Sequence, residues 1–153
     1  MSTTLLMRRI SMKLSSKTRY GLACGLYLAS THEKAAVQQL SKDLELSPLY
    51  LQQVMSALKN GQIVNSTKGS SGGYELAREA SEITLYDCLF TLEPSLFDTT
   101  ESATNNPDYQ YILDKHVFTP LKTNLEESTK SLTLAQLSTK LKEHQSEALM
   151  FYI

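Results

Sequence analysis

Gln52, Gln53, Ser56 and Lys59 lie close together in the chain, just after Pro48, Leu49 and Tyr50. A carboxamide presents donors and an acceptor in one plane, and a hydroxyl can do either job. A lysine adds a mobile point charge for an anion. A few positions later come Lys68, Gly69, Ser70, Ser71, Gly72 and Gly73. Glycines have no Cβ, so the backbone of such a loop can approach a flat or grooved partner closely. These side chains bind; none of them is placed to break a bond.

The remaining reactive residues support the same view. His32, His116 and His144 are scattered over separate segments, and none stands near a serine or cysteine in a nucleophile motif. There is no glycine-rich phosphate loop ending in Lys-Ser or Lys-Thr. Cys24 and Cys88 are isolated from each other and have no partner at metal-ligand spacing, so each reads as a small core residue. No enzyme, metal or cofactor is expected.

Charge divides the chain. Residues 1–80 hold ten Lys/Arg against five Asp/Glu, a net +5, and residues 81–153 hold five against eleven, a net −6; together they give the overall −1. A basic first half suits a polyanion. No apolar run approaches the roughly 18 residues that span a bilayer. Leu5-Leu6-Met7 before Arg8 and Arg9 is too short for a signal peptide. The expectation is a soluble cytoplasmic protein.

The elements that must position these groups follow from periodicity. Residues 1–11 have none and read as a flexible extension, with Met12 as an alternative start. Ser15 or Ser16 can cap a helix to about Ser30, where Tyr20, Ala23, Cys24, Tyr27 and Leu28 form one face. Gly21 and Gly25 on that helix suggest a close crossing by another. Residues 36–45 form a second helix with Val37, Leu40 and Leu44 inward. Ser47 is a natural N-cap and Pro48 fits the first position of a third helix, which runs to about Lys59 over the stripe Leu51, Val54, Met55 and Leu58. Gly61 should end it in the left-handed conformation. Two extended runs, Ile63 to Ser66 and Tyr74 to Ala77, enclose the glycine loop as a β-hairpin.

Thr84 and Asp87 resemble a capping box for a helix over about 85–93, with Leu85, Cys88, Leu89 and Leu92 on one face. Residues 94–107 are polar and read as a loop. Helical spacing returns from Asp108 to about Ser128 in Tyr109, Ile112, Leu113, Val117, Leu121 and Leu125. His116 lies on the same helix, where core or interface packing is its expected role. Pro120 should kink that helix or start a new one capped by Thr119. Leu132, Leu134, Ala135 and Leu137 mark a last short helix before a polar tail.

Helix, helix, tight turn, capped helix and glycine-rich hairpin make a winged helix-turn-helix, a mainly α fold with a small β-hairpin. In such a unit the helix after the turn enters the major groove of DNA. The stripe of the third helix is buried, leaving Leu49, Tyr50, Gln52, Gln53, Ser56 and Lys59 for the outside. Glutamine can pair with adenine in bidentate fashion, and hydroxyls can bond bases or phosphates. The competing reading is a solvated helix face, and for the loop an ordinary hairpin turn.

Three segments carry a resemblance to a known family. MKLSSKTRYGL (12–22), SPLYLQQVMSALKNGQIVNSTKGSSGGYELAR (47–78) and EITLYDCLFTLEP (82–94) resemble the Rrf-two family of bacterial winged-helix regulators, and SLTLAQL (131–137) is similar to its C-terminal segment. The resemblance implies a homodimer held by the long helix after the loop, through Tyr109, Ile112, Leu113, His116, Val117, Leu121 and Leu125. It implies binding to a double-stranded operator through the helix starting at Pro48, with the wing in the minor groove. By position, Ser15, Ser16 and Lys17 match a first-helix start that lies near phosphates. Gln52 stands where cluster-binding members often carry glutamate, and Lys68 where a wing arginine is usual. Ser70 and Ser71 replace a proline and an extra glycine, which should loosen the loop.

The implied layout is an extension (1–11), a DNA-binding domain (12–93), a loop (94–107) and a dimerisation helix with a C-terminal segment (108–153). Many members hold an iron–sulfur cluster through three cysteines in the loop. Glu93 to Tyr109 contains none here, so no cluster is expected. The expected function is a sequence-specific DNA-binding regulator, most simply a repressor. The second reading is a regulator that works through a partner protein with weak or no DNA binding.

Overall fold

A computed structural model describes residues 13–151. The extension 1–11 and Met12 lie outside the described residues. The described residues form seven α-helices in order: α1 (Ser16–Thr31), α2 (Val37–Leu44), α3 (Pro48–Asn60), α4 (Leu85–Leu92), α5 (Pro107–Leu113), α6 (Thr119–Lys130) and α7 (Leu134–Met150). Strands β1 (Val64–Thr67) and β2 (Gly73–Leu76) lie between α3 and α4 and pair antiparallel, with Val64 opposite Leu76 and Thr67 opposite Gly73. The fold is mainly helical with one two-stranded hairpin. Among the described residues no helix is long and apolar enough to cross a membrane.

The core is built on α3. Leu51, Val54, Met55 and Leu58 are all fully buried, each contributing about 1.5–3 kcal/mol by leaving water. They meet Cys24 and Leu28 of α1, Leu40 of α2, Val64 of β1 and Leu92 of α4 in one cluster. The glycines of α1 sit where helices cross it: a Cβ at Gly21 would fall 2.5 Å from Leu92 Cδ1, and one at Gly25 would lie 3.6 Å from Leu134 Cδ1. Thr84 and Asp87 form the expected capping box, with the Asp87 amide donating to Thr84 Oγ1 at 3.1 Å and Thr84 N–H to Asp87 Oδ2 at 2.9 Å.

Several expectations need correction. Ser47 occupies the N-cap position of α3 without a side-chain cap bond. Gly61 ends α3 at φ −82°, not left-handed, and Gln62 takes the positive φ of 60°. Gly61 is required for a different reason: a Cβ there would stand 2.2 Å from Thr91 Cγ2 of α4. The segment after α4 is not all loop, because Pro94–Phe97 forms a 3-10 turn that buries Phe97 edge-on against Tyr86, with ring centroids 4.9 Å apart.

A new helical stretch, α6, starts with Pro120 in its first turn, as expected, but after a wider turn rather than a cap. Asp114–Phe118 form a π-turn, in which Thr119 N–H donates to Asp114 O, and Thr119 does not cap α6. Proline lacks an N–H and crowds the carbonyl four residues back, and the wider turn absorbs both defects. The last helix is far longer than its apolar residues suggested. α7 runs for 17 residues, opened by a Thr133–Gln136 capping box, and takes in most of the polar tail. That tail is rich in Lys, Glu, Gln, Ala and Leu, which are strong helix formers. α7 packs back on α1, where Ser138 Oγ donates to Ala29 O at 3.4 Å.

Gly61→Ala is expected to cost about 1–3 kcal/mol by overpacking against Thr91, read as a lowered thermal midpoint. Adding Thr91→Ala should recover most of the loss. A Gly61→Ala chain as stable as the parent would show that the close approach does not constrain the turn.

Candidate nucleic-acid interface

With one side of α3 buried, its other side must face out. Leu49, Gln52, Gln53, Ser56 and Lys59 are all exposed, Leu49 by 73%. Tyr50 behaves differently: it is half-buried, and its ring stands at 87° to Tyr20 with centroids 5.3 Å apart. It braces α3 on α1 rather than projecting freely beside Leu49.

The hairpin is anchored next to this face. Ala35, just before α2, exchanges two backbone hydrogen bonds with Tyr74 of β2, at 2.9 and 2.8 Å. The bridge draws the chains so close that a Cβ at Gly73 would meet Ala35 backbone atoms at 2.8 Å. At Gly72 it would meet Thr67 O at 2.2 Å, so the turn closes only over glycine. Arg78 fixes the base of the hairpin, donating to Gln62 O at 3.0 Å and pairing with Asp87 at 3.4 Å.

The result is an open groove of about 430 Å³. Gln52 and Ser56 form one wall, Ala36, Val37 and Gln38 another, and Thr67, Gly69, Gly72, Gly73 and Tyr74 close the end. Of the residues singled out from sequence, the groove gathers Gln52, Ser56 and the three loop glycines. Pro48, Leu49, Gln53, Lys59, Lys68, Ser70 and Ser71 are exposed outside its lining. Gln38 and Thr67 were missed. α2 reads as a packing helix, and nothing local marks its outer side as part of a site until the Ala35–Tyr74 bridge brings the hairpin beside it.

Ser15, Ser16 and Lys17 do not line the groove. Ser15 caps α1, and both its N–H and its hydroxyl donate to Glu93 Oε2, at 3.1 and 2.7 Å. The buried Thr18 hydroxyl donates to the same oxygen. Ser16 Oγ accepts from Arg19 at 3.0 Å. The hydroxyl of Ser15 is therefore already engaged inside the fold, and the start of α1 is answered by a carboxylate.

A family model described as "Iron-dependent Transcriptional regulator", that of Rrf2, matches residues 14–140. The chain belongs to the Rrf2 family. It is a DNA-binding transcriptional regulator and not an enzyme. The transcriptional regulator CymR of Bacillus subtilis is 31% identical over 144 residues, which cover 93% of this chain and 100% of that one. IscR of Photorhabdus laumondii is 33% identical over 87 residues, so this chain spans 53% of that relative. Among solved structures, B. subtilis CymR, titled the global cysteine regulator, superposes with a TM-score of 0.71 at 27% identity, covering 85% of this chain and 98% of that one. IscR of T. potens gives 0.69 at 30%, covering 88% and 92%.

The family's description names iron, and this Rrf2 chain does not carry donors that fit an iron–sulfur cluster. Such clusters are held by thiolates, and Glu93–Tyr109 contains no cysteine. Cys24 and Cys88 are buried, and burial pushes both thiols up to about 12, Asp87 adding to the rise at Cys88. Burial disfavours the thiolate, the form that binds iron. Among the described residues no group of three or more His, Cys, Asp or Glu side chains is placed to hold a metal.

The Thr18 hydroxyl first, and Ser15 second, hold the Glu93 carboxyl below its ordinary value. Its tie to α1 is therefore complete above the usual carboxylate range, about 4.3, and is lost as pH falls through the depressed folded-state value. Glu93→Gln is expected to lower the thermal midpoint at neutral pH, and the gap from the parent should close in acid. A gap that stays constant from neutral pH to about pH 3 would show that the carboxylate charge does not hold α1.

Proposed function

We propose that this chain is a cytoplasmic, homodimeric repressor that binds a near-palindromic operator, with α3 in the major groove and the β1–β2 hairpin against the neighbouring backbone and minor groove. The observation that carries the proposal is the groove shared by α3 and the hairpin. Polar, exposed side chains of α3 and a glycine turn meet there, and helix-turn-helix units dock on DNA through that helix. Lys59 and Lys68 stand exposed beside it, ready for phosphates. Pro48, Leu49, Gln53, Ser70 and Ser71 extend the contact.

The α5–α6 rod supports a second copy as its own partner. From Pro107 to Lys130 it spans about 36 Å at 1.5 Å per residue. Tyr109, Ile112, His116, Val117 and Leu121 along it are exposed, Tyr109 by 69% and Leu121 by 63%, while Leu113 and Leu125 are half-buried. A row of large apolar side chains in water is the usual mark of an interface. In a dimer that binds two half-sites, the two α3 helices should stand about 34 Å apart, one turn of DNA. Repression then needs only occupancy of a promoter. A regulatory partner protein is the second reading, favoured by the exposed apolar end of α7 at Leu149, Met150 and Phe151.

Selection of genomic fragments by the purified chain, read by sequencing, should return a near-palindromic site. Affinity should fall steeply with salt as phosphate counterions are released. Lys68→Ala should weaken binding to every duplex alike and flatten the salt slope by about 1. Leu121→Glu should sediment as a monomer and lose most operator affinity. A Leu121→Glu chain that remains dimeric would overturn the interface, and a Lys68→Ala chain that binds like the parent would overturn the wing contact.

A further inference from the structure

The groove lined by Gln52 and the hairpin has an unexpected charge distribution. Its lining consists of Ala36, Val37, Gln38, Gln52, Ser56, Thr67, Gly69, Gly72, Gly73 and Tyr74, and contains no charged side chain. Three lysines border it without lining it: Lys59 and Lys68 are exposed, and Lys34 Nζ, paired with Glu75 at 3.8 Å, donates to Oγ1 of the lining Thr67 at 3.3 Å. Phosphates are met by cations and base edges by groups that both donate and accept, so an uncharged lining of carboxamides and hydroxyls suits the bases.

Two carboxamides serve it from different helices. Gln52 comes from α3 and Gln38 from α2, and both are exposed. The glutamines next to them are placed differently: Gln39 Nε2 donates to Asp43 at 2.8 Å, and Gln53 is exposed outside the lining. Among the described residues neither Gln38 nor Gln52 has a side-chain hydrogen-bond partner, whereas Gln110 and Gln136 accept from backbone amides. Glutamine matches N6 and N7 of adenine in the major groove. Ala36, close to Gln38 in the lining, is exposed and apolar and can receive a thymine methyl.

We infer that Gln38 is a second base-reading residue, working opposite Gln52, and that the half-site therefore holds two A·T pairs read from the major groove. The inference rests on the operator-binding reading above. It adds a residue from the first helix of the helix-turn-helix and a base preference.

The test is selection from a randomised duplex pool with the full-length chain and its Gln38→Ala, Gln38→Glu and Gln52→Ala variants. All three changes are on exposed helix positions, and circular dichroism checks that each variant is folded. The parent should enrich A·T at two positions of each half-site. Gln38→Ala should erase the preference at one of them, a loss of about 5- to 150-fold in discrimination. The other position should be untouched, and binding to a non-specific duplex should not change. Gln52→Ala should erase the second position only. Gln38→Glu should move the first toward cytosine, whose N4 amino group donates to a carboxylate. Enrichment profiles that are identical for the parent and Gln38→Ala overturn the inference while leaving the regulator reading intact. So does a uniform loss of affinity on all sequences, which would make Gln38 a backbone contact. Failure of the parent to enrich any sequence would remove both readings together.

Discussion

Leu51, Val54, Met55 and Leu58 lie completely out of water, and their burial sets the rotation of α3 about its axis. A helix has one position per 100°, so anchoring four side chains on one side leaves no freedom for the rest. Gln52, Ser56 and Lys59 then face out whatever the solvent or partner. Tyr50 tightens the arrangement by leaning its ring on Tyr20. The energy for this comes from apolar area, and the polar face is its by-product. The outer side of α3 is thereby free to differ between relatives without a cost in stability.

The hairpin needs its own constraint, because two strands of four residues are only marginally stable alone. The Ala35–Tyr74 bridge supplies it by tying β2 to the entry of α2. Arg78 supplies a second tie through Gln62 O and Asp87, and Asp87 also caps α4. One carboxylate thus serves the helix start and the hairpin base. The distance between α3 and the glycine turn is held by the core on one side and by these few polar bonds on the other.

What was legible in the sequence follows the same division. The stripe of α3, the Thr84–Asp87 box and the glycine turn each depend on residues a few positions apart, and all appear as read. The misses involve partners distant in the chain. Gly61 looked like a helix stop, yet Thr91 is what it must avoid. Nothing near Ser15 in the chain announces that Glu93, 78 positions away, accepts from its hydroxyl. Gln38 looked like part of a packing helix until the strand bridge placed the hairpin beside it. Pro120 marks the start of α6, but the π-turn before it depends on backbone adjustment over several residues. α7 runs past its apolar positions because its polar residues favour helix just as strongly.

The charge distribution completes the case for a directed surface. The groove lining is neutral, the exposed lysines stand around it, and residues 81–153 carry a net −6. These are three separate effects. Rim cations attract a duplex of any sequence, at a strength set by salt. A neutral lining of amides and hydroxyls adds little to that attraction but distinguishes one base edge from another. The acidic half repels the same duplex over a Debye length of about 10 Å at 0.1 M salt. On the proposed reading, a DNA helix approaching this molecule would be turned toward α3 and the hairpin before any base is read. The α5–α6 rod lies wholly in the acidic half, which on the same reading would keep it clear for contacts between protein chains.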